Sequence, residues 1–449
     1  MTRKFLTIPA VVAGALGMGS SIAWAAEPST QELMDQIKQL QSKVAEMENR
    51  QTTLSDAQVS ATIDSVLRDA EKRSQLFQME GFTAGHDGKN FWLKSADGAY
   101  SLSPRFQFQF RHTVNWSDEQ KGDGDASLDK GFEIRRMKFT FLGTVCSPDL
   151  SYNFRFAADR DGGGVTLENA YLQYQFNDQW AFKVGQWKDN VFHEESTSSE
   201  KQLAADRSFM NEILAGGLTD YVQGASLIYN PTDSPFRAEI AAHDGANSDN
   251  TTWQDEGGVP SVDLADPNWG ASVRVEWAMN NNFKGYDDFT ARGNTEGLLV
   301  IGGGANYTQA GDVGAYFHTV DAQWENNTGL GMYAAYVGTY RDGGADSDDV
   351  YNWGFLYQVG YMLNDRWEIF GRLDWVDVDE DFAIGTLSGS STHEYTVGVN
   401  YYFCEGHGAK FTLDVGYLPN GSPVDLDGIG VLATEEDQFY VRGQFQLLI

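Results

Sequence analysis

From Tyr100 to Ile449 the chain alternates apolar and polar residues at a period of two, segment after segment. That rhythm belongs to strands with two unlike faces. In SPRFQFQFRHTVNW, Phe106, Phe108, Phe110, Val114 and Trp116 share one face, and Gln107, Gln109, Arg111, Thr113 and Asn115 share the other. WGASVRVEWA, RWEIFGRLDW and the C-terminal QFYVRGQFQLLI repeat the pattern. A soluble β-sandwich also alternates, with one face in its core. The aromatics argue against it. Trp269 and Trp277 lie eight apart on the apolar face, as do Trp367 and Trp375, Trp353 and Tyr361, and Tyr395 and Phe403. Eight residues rise ~26 Å along a strand, or ~20 Å when the strand tilts by ~40°. That height is close to the ~25 Å apolar band, edged by two aromatic girdles, of an outer-membrane barrel.

Sixteen segments read as strands, and the connections between them largely alternate in length. NDQ at 177–179, NNT at 326–328 and ND at 364–365 are short, whereas 117–131, 188–217, 244–268, 379–391 and 418–436 are long. Short turns at one end and long loops at the other are the expected asymmetry of such a barrel. Two features depart from it. The connection 279–295 is long where a short turn belongs, and the strand around residue 225 carries Gln223 on its apolar face.

FEIRRMKFTF, residues 132–141, keeps three cations in an apolar stretch. Met137, Phe139 and Phe141 face one way, toward lipid; Arg136, Lys138 and Thr140 face the other, toward a wet interior. A lipid-facing Arg or Lys at mid-bilayer would cost roughly 2–4 kcal/mol. Arg135 falls on the apolar face and is expected at the rim. Phe132 and Ile134 are out of phase with Met137, which predicts a bulge at the Arg pair.

Other segments bound the rest. Arg3 and Lys4, an apolar stretch and Ala23-Trp24-Ala25 read as a signal peptide over 1–25. Residues 26–78 read as a periplasmic segment, with 79–449 as the barrel. Within that segment Leu33, Ile37, Leu40, Val44, Met47 and Leu54 form a heptad seam. The seam fits a self-associating coiled coil or a lone amphipathic helix, of which the coiled coil is preferred. The fold expected is therefore all-β: a 16-stranded antiparallel transmembrane β-barrel with an N-terminal α-helical coiled-coil segment. A net charge of −32 becomes −34 when Arg3 and Lys4 are removed (−32 − 2), which disfavours nucleic acid as a partner. Cys146 and Cys404 do not make a disulfide framework, and no bond between them is expected within one barrel.

FEIRRMKFTFLGTV, ENAYLQYQF and VGQWKDNVFHEESTSS, all within 132–200, resemble the phosphate-selective porin O and P family. The resemblance implies a trimeric sixteen-stranded outer-membrane channel and covers most of 80–449 as architecture. The basic pore ladders of phosphate-selective members cannot be matched position by position in this chain, so none is carried over.

Strand parity nominates a pore lining of Arg111, Arg136, Lys138, Arg155, Lys183, Arg237, Arg274, Arg372 and Arg442. Glu276, Glu368 and Asp374 accompany them, with Glu168, Glu239, Asp321 and Asp414 beside them. Such a mixed lining suits a weakly selective polar pore, or charges that only pair with one another. The 188–217 loop is the candidate constriction, either folded inward or lying on the surface. Ser198 or Ser199 would cap a short helix carrying Lys201, Asp206, Arg207 and Glu212. His193-Glu194 has no second histidine four residues on, so no metal or other cofactor is expected. Asp123, Asp125, Ser127 and Asp129 have calcium-like spacing but lack the glycine of an EF-hand loop. The seven histidines show no hydrolase constellation, so the chain is not read as an enzyme. The expectation is a porin passing ions and small polar solutes, phosphate or other anions among them by family resemblance. Outer-membrane lipid and two further copies are the implied partners. The alternative is a barrel that tethers the outer membrane to the cell wall through the coiled coil.

Overall fold

A computed structural model describes residues 81–87, 90–117, 127–158, 163–215, 221–246, 267, 269–342, 348–379, 381, 391–404, 406–426, 428–434 and 436–449, together with 38 and 39. Apart from residues 38 and 39, the signal peptide and the coiled-coil segment lie outside the described residues. So do most of the calcium-like run and of the acidic loops near residues 118–126, 343–347 and 382–390.

A hairpin comes first, β1 (Phe82–His86) and β2 (Phe91–Ser95), which the alternation did not announce. Sixteen long strands follow. They are β3 (Ser101–Ser117), β4 (Ser127–Val145), β5 (Ser147–Ala158), β6 (Val165–Gln175), β7 (Trp180–Lys188), β8 (Tyr221–Tyr229), β9 (Phe236–His243) and β10 (Trp269–Ala278). After them come β11 (Leu298–Ala310), β12 (Val313–Glu325), β13 (Leu330–Arg341), β14 (Val350–Met362), β15 (Trp367–Asp377), β16 (Ser391–Tyr402), β17 (Ala409–Leu418) and β18 (Gln438–Leu448). Each pairs antiparallel with the next, and β18 returns to β3 from Gln438↔Ser117 to Leu448↔Gln107. The sheet is thus a closed sixteen-stranded antiparallel barrel, and all sixteen expected strands are present.

Closure fixes a consistent inside and outside. Trp269, Trp277, Trp367, Trp375, Tyr395 and Phe403 are all exposed on the outer face. Their rings join two belts: Trp269, Tyr307 and Tyr316 run along one end, and Trp367, Tyr401 and Phe403 along the other. An outer surface this apolar is stable only against hydrocarbon. Gln223 is accommodated because it stands opposite Gln186 and donates to its Oε1 at 3.1 Å. The expected bulge is present: Gln109 pairs with Arg136 and Phe110 with Ile134, so Arg135 is the extra residue. The bulge corrects one expectation. Arg135 does not sit at the lipid rim; it turns inward to Asp206 at 3.2 Å.

Two connections also differ from expectation. The ladder of β3 and β4 runs on to Ser117↔Ser127, which shortens the predicted 117–131 loop. At the long-loop end, β11 and β12 are joined by a tight turn whose Gly311 has φ 58°.

Val320 lies midway between Tyr316 and Trp324 on β12 and is 60% exposed. Val320→Arg is expected to lower the unfolding free energy in lipid vesicles by about 2–4 kcal/mol, the mid-bilayer cost of a lipid-facing arginine. A loss below ~1 kcal/mol in urea titration would place Val320 at an interface instead.

Candidate functional site

The interior is where the structure departs most from a simple wet tube. The 189–215 segment, between β7 and β8, lies inside the barrel. Val191, Phe192, Phe209, Met210 and Leu214 pack there against inward-facing Phe317, Tyr333, Val337, Leu356 and Phe370. A hydrophobic core therefore fills the side bounded by β12 to β15, where parity alone implied water. Glycines make room for it. A Cβ on Gly304 would lie 2.3 Å from the Val191 carbonyl oxygen, and one on Gly354 would lie 2.6 Å from Met210 Cγ.

The segment is not the single helix expected. It holds one helical turn at His193–Ser196, a 3₁₀ turn at Ser199–Lys201 and a π turn at Asn211–Ala215. Neither Ser198 nor Ser199 caps a helix carrying Asp206 and Arg207. Ser198 directs its hydroxyl to Glu200, and Ser199 Oγ accepts from Gln107 at 2.9 Å. Barrel side chains instead satisfy its backbone. Asn400 donates to Leu203 O at 2.9 Å, Lys410 to Gln202 O at 2.8 Å and Gln444 to Ala205 O at 3.0 Å.

Asp206 is the hub. Its buried carboxylate meets Arg111, Arg135 and Arg136, the last at 2.7 Å. Its carbonyl accepts from Arg372 at 3.0 Å. Burial alone would raise the Asp206 carboxyl, but Arg135, Arg136, Arg111 and Arg442 hold it well below the usual range. Arg207 donates to the carbonyls of Glu194, Glu195 and Thr197, closing the segment on itself. Burial likewise opposes ionisation of Glu195, yet Arg207 and Lys188 bring it down to about 2. Glu212 is pushed up by burial and by neighbouring Asp206 and Glu195. Lys201 bridges to Asp287.

The sixteen nominated residues fall into several groups. Arg111 also bonds Glu133 at 2.8 Å and the Gly428 carbonyl at 2.6 Å. Arg442 makes a two-point contact with Asp414, both at 2.8 Å, and reaches Ile429 O. Arg274 meets both oxygens of Asp321 at 2.9 Å and Glu276 at 2.7 Å. Arg372 lies 3.0 Å from Asp374 and 2.9 Å from Glu394. Glu368 accepts from Tyr402 at 2.6 Å and from Thr290 at 2.7 Å. Of these, Arg111, Arg442, Asp414, Arg274, Asp321, Arg372, Asp374, Glu394 and Glu368 are almost wholly buried beneath the inward segment. On the other wall Lys138 pairs with Glu168, Lys183 with Glu239 at 2.6 Å, and Arg155 donates to Thr140 at 3.1 Å. Arg237 stacks 3.7 Å above the Phe283 ring. There Arg136, Lys138, Arg155 and Arg237 keep partial exposure.

Parity missed three participants. Lys410 and Glu394 lie on inward faces but were not nominated. The 282–297 connection also enters the barrel, burying Tyr286, Phe289 and Thr290. Its excess length over a short turn was the available signal.

Residues 106–262 match the family model described as phosphate-selective porin O and P. No curated protein matches in sequence. Among solved structures the barrel is similar to an anion-selective porin from Comamonas acidovorans: TM-score 0.53, 13% identity, covering 78% of this chain and 100% of that one. It is also similar to OmpF of Salmonella typhi, solved with daunomycin: TM-score 0.50, 13% identity, covering 78% and 98%. These likenesses establish the porin fold.

Asp206→Ala is expected to cost about 3–5 kcal/mol, the penalty of stranding buried charge, read as a lower unfolding temperature in detergent. The pH sign follows from the depressed carboxyl. Its stabilisation is complete above the ordinary carboxylate range near ~3.9 and is lost only as pH falls through its lower folded value. Limited proteolysis should therefore leave 189–215 protected at pH 4 in the native protein and exposed in Asp206→Ala.

Proposed function

We propose that the chain is an outer-membrane porin, a passive channel for ions and small polar solutes. One observation carries the reading. The closed barrel turns an aromatic-belted apolar face outward while Arg136, Lys138 and Arg155 face inward and keep contact with solvent. In this reading solute moves along the β4–β9 wall. There the nominated pore residues Arg136, Lys138, Arg155, Lys183 and Arg237 outnumber Glu168 and Glu239. The remaining nominees, Arg111, Arg274, Arg372, Arg442, Glu276, Glu368, Asp374, Asp321 and Asp414, act from beneath by seating the 189–215 segment. That segment, with Lys201, Asp206, Arg207 and Glu212, is the constriction. The cation excess favours small anions weakly, with phosphate among them by family resemblance.

The chain enters β3 from the short-turn end, which supports a periplasmic N-terminal segment. A homotrimer, and cell-wall contact through residues 26–78, complete the proposal.

Purified protein in planar bilayers is expected to give discrete conductance steps; a silent, folded preparation would refute the channel. Replacing 196–212 by a short Gly-Ser link should raise the unit conductance several-fold. Under a KCl gradient the reversal potential should carry the anion sign, and Lys138→Glu/Arg155→Glu should move it toward cations. A cation sign in the native protein would remove the anion preference and leave the channel standing.

A further inference from the structure

Among the described residues the connection between β10 and β11 is the one long connection at the short-turn end, and it does not hang outside the barrel. Residues 282–297 run as a strap across the inner wall. At one end Phe283 lies under Arg237 of β9. At the other, Arg292 donates to the carbonyls of Asp365, Cys404 and Gly406 at 2.8, 3.0 and 2.8 Å respectively, and stacks over the Tyr402 ring. These anchors span the arc from β9 to the β16–β17 turn.

Between its ends the strap holds the 189–215 segment from below. Tyr286 stacks on His193 with ring centroids 3.9 Å apart and planes within 2°. The Tyr286 hydroxyl accepts from Arg274 at 2.8 Å, and the same arginine donates to Val191 O at 2.8 Å. Lys201 reaches Asp287. One arginine, one stacked ring pair and one ion pair thus join two segments that enter the barrel from opposite ends. Barrel side chains complete the contact, since Gln323 donates to Asp288 O at 2.6 Å while Thr290 bonds Glu368.

We propose that residues 282–297 are a second constriction element, which closes the β10–β16 half of the lumen from the short-turn end and fixes the 189–215 segment in place. The path for solute is then an off-centre slot beside β4–β9. The stacked and hydrogen-bonded join also makes the constriction stationary, because the upper segment cannot lift without unstacking Tyr286. This inference rests on the channel reading and sharpens it: the narrowest section has two jaws, and Tyr286 and Arg292 are positioning residues for the lower one.

The test is single-channel recording on the full chain with 283–295 replaced by a two-residue Asn-Gly turn. Unit conductance is expected to rise at least twofold. An unchanged value in a protein that retains heat-modifiable mobility overturns the proposal. Should the replacement not fold, Arg292→Ala releases only the far anchor and is expected to add open-channel flicker. Traces as quiet as the native ones overturn the proposal. A third arm uses Gln323→Cys in a Cys146→Ser/Cys404→Ser background, probed with a charged, membrane-impermeant thiol reagent. The cysteine is expected to be silent with the native strap and reactive with the replaced or released one; equal reactivity in both overturns the proposal. A native protein that gives no conductance at all sinks the channel reading itself, so the two failures are distinguishable.

Discussion

Closure of the backbone ladder is the constraint on which the rest depends. In hydrocarbon an unbonded amide or carbonyl costs several kcal/mol, and a sheet escapes that cost only by having no edge. Here β18 meets β3 over eleven residue pairs, so the last strand satisfies the first. Once the ring is shut, every strand has one face in lipid and one in a confined interior. The side-chain period then sorts the sequence without further instruction. Even the exception obeys it: the bulge at Arg135 shifts the phase of β4, and a cation that would have met lipid meets Asp206.

The confined interior poses a second problem. Side chains facing inward from sixteen strands do not fill the space, and the chain fills part of it with its own connections. The apolar residues of 189–215 supply a core that a soluble protein would place between sheets. The charges that the strands carry inward are then buried, which makes pairing obligatory rather than optional. Arg442 with Asp414, and Arg274 with Asp321, answer that demand with two-point contacts. Asp206 is asked to answer three guanidinium groups at once. Such pairs add little net stability over an apolar filling, but each is costly to break from one side. They hold the inward segment in one register more than they hold the barrel together.

Much of the barrel was legible from residues alone, because lipid imposes a uniform, local rule on one face of every strand. Trp269 and Trp277 announced their height and side by spacing. The bulge showed as a phase slip between Ile134 and Met137. The interior was legible only as a list of inward residues. Parity places Arg111 inside but cannot name Asp206 as its partner, since the two are 95 residues apart and joined only through closure of the ring. The apolar filling was hidden for the same reason. Phe317 and Phe370 read as ordinary strand residues until Phe209 and Met210 are brought against them. The hairpin β1–β2 escaped because FTAGH and FWLKS are too short to show a period.

By itself, then, the amino-acid order determined strand number, the outward face, the girdles and the position of the bulge. Each of these depends on neighbours two to eight residues away and on a solvent that is the same everywhere around the barrel. Tertiary structure alone decided which inward charges are paired, that the side of the lumen bounded by β12 to β15 is a core, and that 189–215 and 282–297 meet. Those outcomes depend on which side chains share a small, water-poor space, and only the closed ring sets who shares it.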